Sequence, residues 1–488
     1  MSTDPAPRPA ITSPAERPVM AGPAPRPAVA GPAPVPAVAA PRREEGAAAT
    51  LALCGGTVVT SLDPVRLVTA DVVISGGRIS RVGAAPPGVA RRDCSGTLVL
   101  PGNVCAHHHL YSSLSRGMPY RLAAPQNFLQ ILQRIWWRLD RALDEPAVRL
   151  SALAGGLGAL RAGTTTVIDH HASPNFIDGS LDVIAGALAE LGLRSLLCYE
   201  VTDRDGPARA AAGVAENRRF LGAAHPLARG MMGAHASFTL SDDTLAACAE
   251  GAAAAAVGVH IHVAEDAADQ ADAEAAYGMS VVERQDQAGI LRADALLAHC
   301  VHVTGPQIAR ITASGAAVAH NARSNMNNRV GYSPLARDGA RVALGTDGIG
   351  GDMITESQAA YFRAVEAGAA TDPGWPLRRL AEGARIAGRS FGEPDLGTIG
   401  PGAPADLTVL DYPAPTPLTA ENLPGHWVFG NSPAYVRDVV VAGDLVIADA
   451  RSTRVDEAKI AEQAAREARR LWARLEDIPP HTCSPKGR

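Results

Sequence analysis

Short apolar runs alternate with alanine-rich, helix-like stretches over residues 101–400, and eight such runs are present. Polar residues close nearly every run, as in VGVHIHVAE and RVALGTDG, and segments such as SLDVIAGALAELG separate most of them. Strands that alternate with helices favour βαβ units around a parallel sheet. Eight units in about 300 residues predict a (β/α)8 TIM barrel, whose chemistry lies at the carboxyl ends of its strands.

A different pattern flanks this region on both sides. Residues 46–100 alternate apolar and polar positions in short stretches broken by Gly-Gly and Asp-Pro, and residues 401–450 repeat that texture in ADLTVLDY and VRDVVVAGDLVIADA. Such alternation is typical of antiparallel strands joined by turns. The predicted fold class is therefore α/β, with the barrel at 101–400 and a composite β-sandwich domain formed from both flanks.

The two ends of the chain differ from the rest. Residues 1–45 are a Pro/Ala-rich tract that we expect to be disordered, or to reflect a misassigned start, because it offers little apolar surface to bury. Residues 451–488 are predicted to be a C-terminal helix and tail. Within 455–475, apolar positions at helical spacing form a stripe that packs on the body of the protein or on a partner subunit.

Composition narrows the class of protein. The net charge of −5 gives no indication of a positively charged surface for binding nucleic acid. No apolar stretch of the sequence is long enough to span a membrane. The seven cysteines are scattered and lack C-x-x-C spacing, which fits reduced thiols in a cytoplasmic protein. Lys459 and Lys486 are the only lysines. No barrel lysine is therefore available for the carboxylated bridge between two metal ions, which favours a mononuclear site.

Three consecutive histidines end the first run. Alternate residues of a strand face the same side, so His107 and His109 point into the barrel and His108 points towards the helices. His262 ends the fifth run and Asp347 ends the eighth. Three imidazoles and one carboxylate with room for water suit Zn²⁺ and are acceptable to Fe²⁺.

Further polar residues lie near the same strand ends. Glu265 follows His262 by three residues, whereas His260 lies two residues deeper and is expected to be buried and hydrogen-bonded rather than a ligand. Glu200 ends the third run and could in principle bridge to a second metal ion. We expect its side chain instead to line the pocket or to form a buried ion pair. His170 and His171 follow the second run. They are at most candidates to contact the metal-binding side chains from behind.

Specificity is predicted from residues beyond the ligands. Arg323 and Asn325 follow the seventh run. The guanidinium of Arg323 and the side-chain amide of Asn325 could hydrogen-bond to the polar edge of an oxo-purine-like ring or to an anionic ring. Trp136 and Trp137 occupy a helical stretch after the first strand. One of them can stack on a flat ring, although at least one is expected to pack the helix on the barrel.

Several motifs resemble a known family. PGNVCAHHH, GTTTV, HIHVAE, AHCVH, AHNARSN and GTDG occur in this order, and the chain resembles the amidohydrolase superfamily in its cytosine-deaminase-like (ATZ/TRZ) branch. Within that branch NFLQILQRIWWRLDRALDE, HNARSNMNN and GTDGIGGDM are most similar to the SsnA-type aminohydrolases. The resemblance covers nearly everything after residue 48.

The resemblance implies roles for individual residues. It implies metal ligation by His107, His109, His262 and Asp347. It also implies that Glu265 is the proton shuttle, that His299 and Asp347 assist the attacking water, and that His235 contacts the substrate. The predicted function is exocyclic deamination of a purine-like heterocycle, a small molecule, by water activated on one divalent metal ion.

Two alternatives remain open at this point. A cyclic amidohydrolase would open a ring C–N bond with the same residues, and the sequence does not separate the two reactions. The second alternative is a non-catalytic barrel with a maturation role in selenium metabolism. Such a protein would need neither the complete set of metal ligands nor Glu265, so their presence argues against it. A homo-oligomer, a dimer or larger, is expected by likeness to related enzymes.

Overall fold

The computed structural model describes residues 51–336, 341–369 and 372–483, so the predicted tail at 1–45 lies outside the described residues. The strands within these ranges are β1 Leu51–Leu62, β2 Val65–Ser75, β3 Arg78–Val82, β4 Arg91–Asp93, β5 Leu98–Pro101, β6 Asn103–His108, β7 Thr164–His171, β8 Arg194–Tyr199, β9 Ala228–Gly230, β10 Met232–Ala236, β11 Val259–Val263, β12 Leu296–His299, β13 Ala317–His320, β14 Arg341–Leu344, β15 Leu407–Leu410, β16 Val436–Val441, β17 Asp444–Ala448 and β18 Arg451–Ser452.

The helices surround the middle strands. They are α1 Phe128–Ile131, α2 Trp137–Ala142, α3 Glu145–Arg161, α4 Ser180–Leu191, α5 Pro207–Leu221, α6 Asp242–Ala254, α7 Ala267–Tyr277, α8 Val281–Gln287, α9 Gly305–Ser314, α10 Ala322–Asn328, α11 Met353–Glu366, α12 Trp375–Phe391, α13 Leu423–Gly430 and α14 Glu457–Glu476. A π-helical turn, Leu132–Trp136, joins α1 to α2. None of the described helices is both long and apolar enough to cross a membrane.

The middle strands form the predicted TIM barrel. β6 to β9 pair in parallel as one sheet and β10 to β14 as a second, and β9 and β10 follow one another as two pieces of one irregular strand. Parallel bridges join the sheets on both sides, between Val201 and Ala234 and between His108 and Asp347. Each of the eight apolar runs of the sequence contributes a strand to this barrel. The predicted fold class is confirmed.

The flanks meet in a single nine-stranded sheet. β5 pairs in parallel with β1 and antiparallel with β15, so strands from both ends of the chain lie side by side. Gly102 separates β5 from β6, and a Cβ there would stand 2.2 Å from the Thr165 side chain. The run LVLPGNVCAHHH is therefore two strands, one in each sheet, divided at a glycine that the close approach requires.

A buried ion pair joins the barrel to this sheet. Arg194, at the start of β8, donates to both carboxylate oxygens of Asp406 at 2.7 and 3.1 Å, and both residues are almost fully buried. Asp406 also accepts from the backbone N–H of Ala442 at 2.6 Å. Because each charge has a partner and further hydrogen bonds, removing one partner would leave the other unpaired in the interior.

The C-terminal helix packs on its own chain. Ile460, Ala468, Leu471 and Leu475 of α14 are buried, and the helix lies against α3. Of the two packing partners considered for this stripe, the body of the protein is the one observed. Asp144 joins the two helices: it caps α3 by accepting from the Ala147 N–H at 3.2 Å and receives two 2.7 Å hydrogen bonds from Arg470.

The Asp144→Ala variant is expected to lower the free energy of unfolding by about 1–2 kcal/mol at pH 7, because it removes a helix cap and the partner of Arg470. Burial raises the pKa of Asp144, but hydrogen bonds from Arg470 and Arg474 outweigh it and hold the pKa well below its usual value. The stabilisation is therefore fully present above the usual pKa of about 4 and is lost as the pH falls further.

Urea unfolding at pH 7 and about pH 3 measures this difference, with Glu145→Ala as the control. Glu145 is the exposed neighbour at the start of the same helix. A loss for Asp144→Ala that stays the same size at both pH values, or an equal loss for Glu145→Ala at pH 7, would contradict the ion-pair explanation.

Candidate metal centre and active site

Four side chains converge at the carboxyl ends of β6, β11 and β14. The ligand atoms of His107, His109, His262 and Asp347 all lie within 4.8 Å of one another, and all four residues are buried. His109 Nε2 lies 2.9 Å from Asp347 Oδ1 and 3.2 Å from His262 Nε2. His107 Nε2 lies 3.4 Å from Asp347 Oδ1. The predicted metal ligands are thus brought together in one cluster.

Hydrogen bonds behind the cluster decide which nitrogens face it. His109 Nδ1 donates to the His170 carbonyl at 2.5 Å, and His262 Nδ1 donates to the His235 carbonyl at 2.9 Å. Each Nε2 therefore has its lone pair directed at the other, and two such lone pairs 3.2 Å apart repel unless a positive charge lies between them. The arrangement requires a proton or a metal ion at this point.

His107 and Asp347 strengthen the same requirement. His107 Nδ1 is 2.8 Å from His260 Nε2, and His107 Nε2 is buried without a hydrogen-bond partner among the described residues. His260 thus lies where a buried, hydrogen-bonded residue was predicted. Burial lowers the pKa of His109, but Asp347 outweighs it and raises this pKa to about 9. Three imidazole nitrogens and an ionised carboxylate fit a divalent cation.

Glu265 and His299 face this cluster from the carboxyl ends of β11 and β12. Glu265 Oε2 lies 3.5 Å from His299 Nε2, and Asn328 donates to Glu265 Oε1 at 3.4 Å. Burial and the negative charge of Asp347 raise the pKa of Glu265 well above its usual value. The shift favours the protonated carboxyl group, which is the form that can donate a proton.

His299 is kept neutral beside the metal cluster, and both of its ring nitrogens have hydrogen-bond partners. Its Nδ1 is 2.8 Å from the Asn325 Oδ1 oxygen, to which it donates, and burial lowers the pKa of the ring. Its Nε2 lies 3.5 Å from Glu265 Oε2 and 3.3 Å from Asn321 Nδ2, which donates to it. This geometry suits a hydrogen-bond acceptor or a proton relay beside the metal cluster.

Three residues beside the cavity have left-handed backbones. His299 has φ 72°, Asp347 has φ 51° and Ala264, immediately before Glu265, has φ 45°. Such conformations cost a non-glycine residue about 1–3 kcal/mol and persist where the surrounding structure imposes them. Each ends a barrel strand abruptly at the point where a polar side chain faces the cavity.

A cavity opens above the cluster. Its apolar wall consists of Tyr111, Phe128, Leu132, Trp136, Trp137, Ala236 and Phe238. Much of that wall comes from α1, the π-helical turn and α2, and π-turns are frequent at functional sites. A ligand with a flat aromatic ring fits such a surface.

The two tryptophans take different places. Trp136 is half-buried on the cavity wall, where a Cβ on Gly348 would stand 2.1 Å from its ring, so the glycine after Asp347 leaves room for the indole. Trp137 is almost fully buried, and the Arg204 guanidinium lies 4.8 Å from its ring centroid. Trp136 is the one suited to stack on a ligand, and Trp137 mainly packs the helix.

The polar part of the wall is acidic. Glu200, Glu265, Asp266, Asp269 and Asp347 line the cavity, and no arginine or lysine is among its described lining residues. Burial raises the pKa of Asp269 to about 7, whereas hydrogen bonds and charges from His235 and His170 outweigh burial and lower that of Glu200. An anionic ligand would therefore meet carboxylates with no cationic side chain in the wall.

Glu200 both lines the cavity and forms a buried ion-paired network. It lies 3.5 Å from His235 Nε2, 3.5 Å from Arg204 Nη2 and 3.1 Å from His170 Nδ1. His235 also lines the cavity, as a substrate contact must. Arg204 in turn pairs with Asp140 at 3.0 Å. The sequence pattern does not predict this ion pair.

Arg323 and Asn325 lie outside the described lining of this cavity. Arg323 Nε donates to the buried Glu356 carboxylate at 2.5 Å, and its guanidinium lines a different cavity. Asn325 orients His299 instead. The reason is the short helix α10, which begins directly after β13 and turns Ser324 and Asn328 towards the cluster, where the Ser324 hydroxyl donates to Asp347.

Comparisons with known proteins agree with this fold. The amidohydrolase family model matches residues 98–446. A 5-methylthioadenosine/S-adenosylhomocysteine deaminase from Desulforudis audaxviator is 32% identical over 422 residues, which cover 83% of this chain and 95% of the relative. A 5'-deoxyadenosine deaminase from Methanosarcina mazei is 29% identical over 417 residues, which cover 83% and 94%.

Solved structures share the architecture. A zinc-bound adenosine deaminase from Xanthomonas campestris superposes with a TM-score of 0.74 at 24% identity, covering 88% of this chain and 99% of the other. An atrazine chlorohydrolase from Arthrobacter aurescens, complexed with zinc, gives 0.72 at 22% identity, covering 86% and 100%. At these identities the likeness concerns the fold.

Proposed function

Because the chain belongs to the amidohydrolase family, a family of metal-dependent hydrolases that act on carbon–nitrogen bonds, we propose that it is a zinc-dependent deaminase of adenosine-like nucleosides. The reaction replaces the exocyclic amino group of the base by oxygen and releases ammonia. The observation that carries the proposal is the position of Glu265, which lines the aromatic cavity beside the four-ligand cluster and lies 3.5 Å from His299. The names of the curated relatives support the substrate class.

His107, His109, His262 and Asp347 would hold the metal ion. Three nitrogen donors and one carboxylate match the ligands that zinc prefers, with a position left for water. When bound, the ion supplies a Lewis acid that brings the pKa of water near neutrality. The free Nε2 atoms of the three histidines are the protein's contribution to that site.

Proton transfer belongs to Glu265 and Asp347. The protonated Glu265 carboxyl group would donate to the ring nitrogen beside the carbon under attack, which makes that carbon more electrophilic. Asp347, ionised and oriented by the Ser324 hydroxyl, would accept a proton from the attacking water. Asp347 would then pass that proton to the departing nitrogen, and the ionised Glu265 would take the hydroxyl proton of the adduct as the carbonyl forms, so water and an amine give a carbonyl and ammonia and both carboxyl groups return to their starting states. His299 would accept a hydrogen bond from the water during the attack.

The acidic wall favours a neutral or cationic substrate. A base stacked on Trp136 would leave the sugar facing the polar part of the cavity, which includes Glu200 and His235. A 5'-phosphate there would be repelled by carboxylates in a poorly solvated space. The proposed substrates are thus nucleosides and not nucleotides.

We expect the zinc-loaded protein to deaminate at least one of adenosine, 5'-deoxyadenosine and 5-methylthioadenosine. We also expect kcat/KM for 5'-AMP to be about ten- to a hundredfold lower than for adenosine, since like-charge repulsion of about 1–3 kcal/mol opposes its binding. Ammonia release and the ultraviolet spectrum of the purine, followed in one reaction, measure both. Loss of the purine spectrum without ammonia would favour the ring-opening alternative, and equal rates with 5'-AMP would contradict the charge argument.

A further inference from the structure

A second cavity lies on the other side of the loop that follows Asp347. It has a volume of about 670 Å³, and residues 348–352 form one of its walls. Its polar side chains include Ser112, Ser113, Ser115, Arg116, Arg161 and Arg323. Asp352 is the one acidic residue among its described lining residues. Its charge is thus opposite to that of the catalytic cavity.

Two guanidinium groups converge on the glycine loop. Arg323 Nη2 donates to the Gly350 carbonyl at 3.0 Å, and Arg116 Nη2 lies 2.9 Å from the place where a Cβ on Gly350 would stand. A side chain at this glycine would therefore displace Arg116. Both guanidinium groups therefore lie at the wall of the second cavity.

The neighbouring carboxylates are already engaged. Asp352 caps α11 by accepting from the Ile354 and Thr355 N–H groups at 3.0 Å. Glu356 pairs with Arg323 Nε on the buried side, and Glu457 lies 3.4 Å from Arg161. In the part of the chain that the structure describes, Arg116 has no carboxylate partner within 4.0 Å. The cavity therefore retains at least one uncompensated arginine.

A buried nitrogen adds a second, independent observation. His108 lines the cavity and is 98% buried, and its Nδ1 lies 2.8 Å from the Thr346 hydroxyl. Its Nε2 is buried without a hydrogen-bond partner among the described residues. A buried polar atom normally has a partner, because leaving it without one costs about 1–3 kcal/mol. A ligand in the cavity that His108 lines could supply this partner.

We propose that this second cavity binds a small phosphate-bearing anion, with Arg116 and Arg323 as the cationic groups. The planar guanidinium is well matched to phosphate oxygens, and His108 lines the same cavity with a ring nitrogen that has no partner among the described residues. The site is separate from the catalytic cavity and goes beyond the proposed deamination. Ser112 links the two, since its hydroxyl lies 3.0 Å from the Gly348 carbonyl and 2.8 Å from that of His109.

Calorimetric titration of the full zinc-loaded chain with inorganic phosphate, at constant ionic strength, tests the proposal. Arg116→Gln is the test variant, because Arg116 is exposed and its loss leaves no buried charge unpaired. Arg121→Gln is the matched control, since Arg121 is 71% exposed and pairs with Glu476 away from this cavity. We expect phosphate binding by the unmodified chain, a Kd at least tenfold higher for Arg116→Gln, and an unchanged Kd for Arg121→Gln.

Absence of phosphate binding at millimolar concentration would overturn the proposal. Equal affinity in the unmodified chain and in Arg116→Gln would also overturn it, because phosphate would then bind at the zinc ion or nonspecifically. A second titration with 5'-AMP identifies the source of the phosphate group. Tighter binding than phosphate that also depends on Arg116 indicates a nucleotide, whereas Arg116-dependent binding of phosphate alone indicates the free anion.

Discussion

The Glu265→Gln variant is expected to lower kcat by about a thousandfold or more while retaining one zinc ion per chain. Glutamine has the size of glutamate but cannot donate and accept the proton, and general acid–base catalysis contributes about 10²–10⁴-fold. Glu265 lies outside the four-ligand cluster, so metal binding has no reason to change. Steady-state kinetics on the best nucleoside, with zinc measured on the same sample, provides the comparison.

Asp266→Asn is the matched control for this experiment. Asp266 is the next residue, lines the same cavity and caps α7 by accepting from the Ala268 N–H at 2.9 Å. Asparagine caps a helix as well as aspartate does, so we expect activity within a few-fold of the unmodified chain. Similar losses in both variants would mean that the charge of the wall, and not proton transfer by Glu265, is responsible. A biological role that survives Glu265→Gln would favour the maturation alternative.

Removing a metal ligand is expected to have the largest effect of all. In the His262→Ala variant we expect zinc to fall well below one ion per chain and activity to reach background, because the cluster loses the nitrogen that lies 3.2 Å from His109 Nε2. His260→Gln, two residues deeper on the same strand, is the graded comparison. His260 contacts His107 Nδ1 at 2.8 Å, and loss of such a supporting group typically costs about 10–100-fold in metal affinity.

Competition with a chromophoric chelator measures the zinc affinity of each variant. We expect the zinc affinity to be highest for the unmodified chain, lower for His260→Gln and lowest for His262→Ala. If His262→Ala kept stoichiometric zinc and substantial activity, His262 would not be a ligand. If His260→Gln lost as much zinc as His262→Ala, the assignment of His260 as a support for His107 would be wrong.

The barrel and the positions of the metal cluster could be predicted because strand geometry is regular. A period of two along β6 places His107 and His109 on one side and His108 on the other, whatever the surrounding residues are. His262 and Asp347 occupy comparable positions at the ends of their strands. Their convergence within 4.8 Å follows from closing parallel strands around one axis.

Substrate contacts could not be predicted in the same way. Arg323 and Asn325 were expected at the cavity because they follow a barrel strand, but their directions depend on where α10 begins, and helix boundaries are weakly encoded. The aromatic wall depends on a π-turn at Leu132–Trp136, which adds a residue to a helical pattern without changing its composition. The left-handed backbones at His299 and Asp347 likewise carry no signal, since neither residue is glycine.

The interleaved nine-stranded sheet also constrains the order in which the chain can fold during synthesis. β5 has its final neighbour β15 only after about three hundred further residues have left the ribosome. Until then β5 presents an unpaired edge to other nascent chains, which is a route to aggregation. A message truncated within the barrel would therefore yield a product prone to associate with itself.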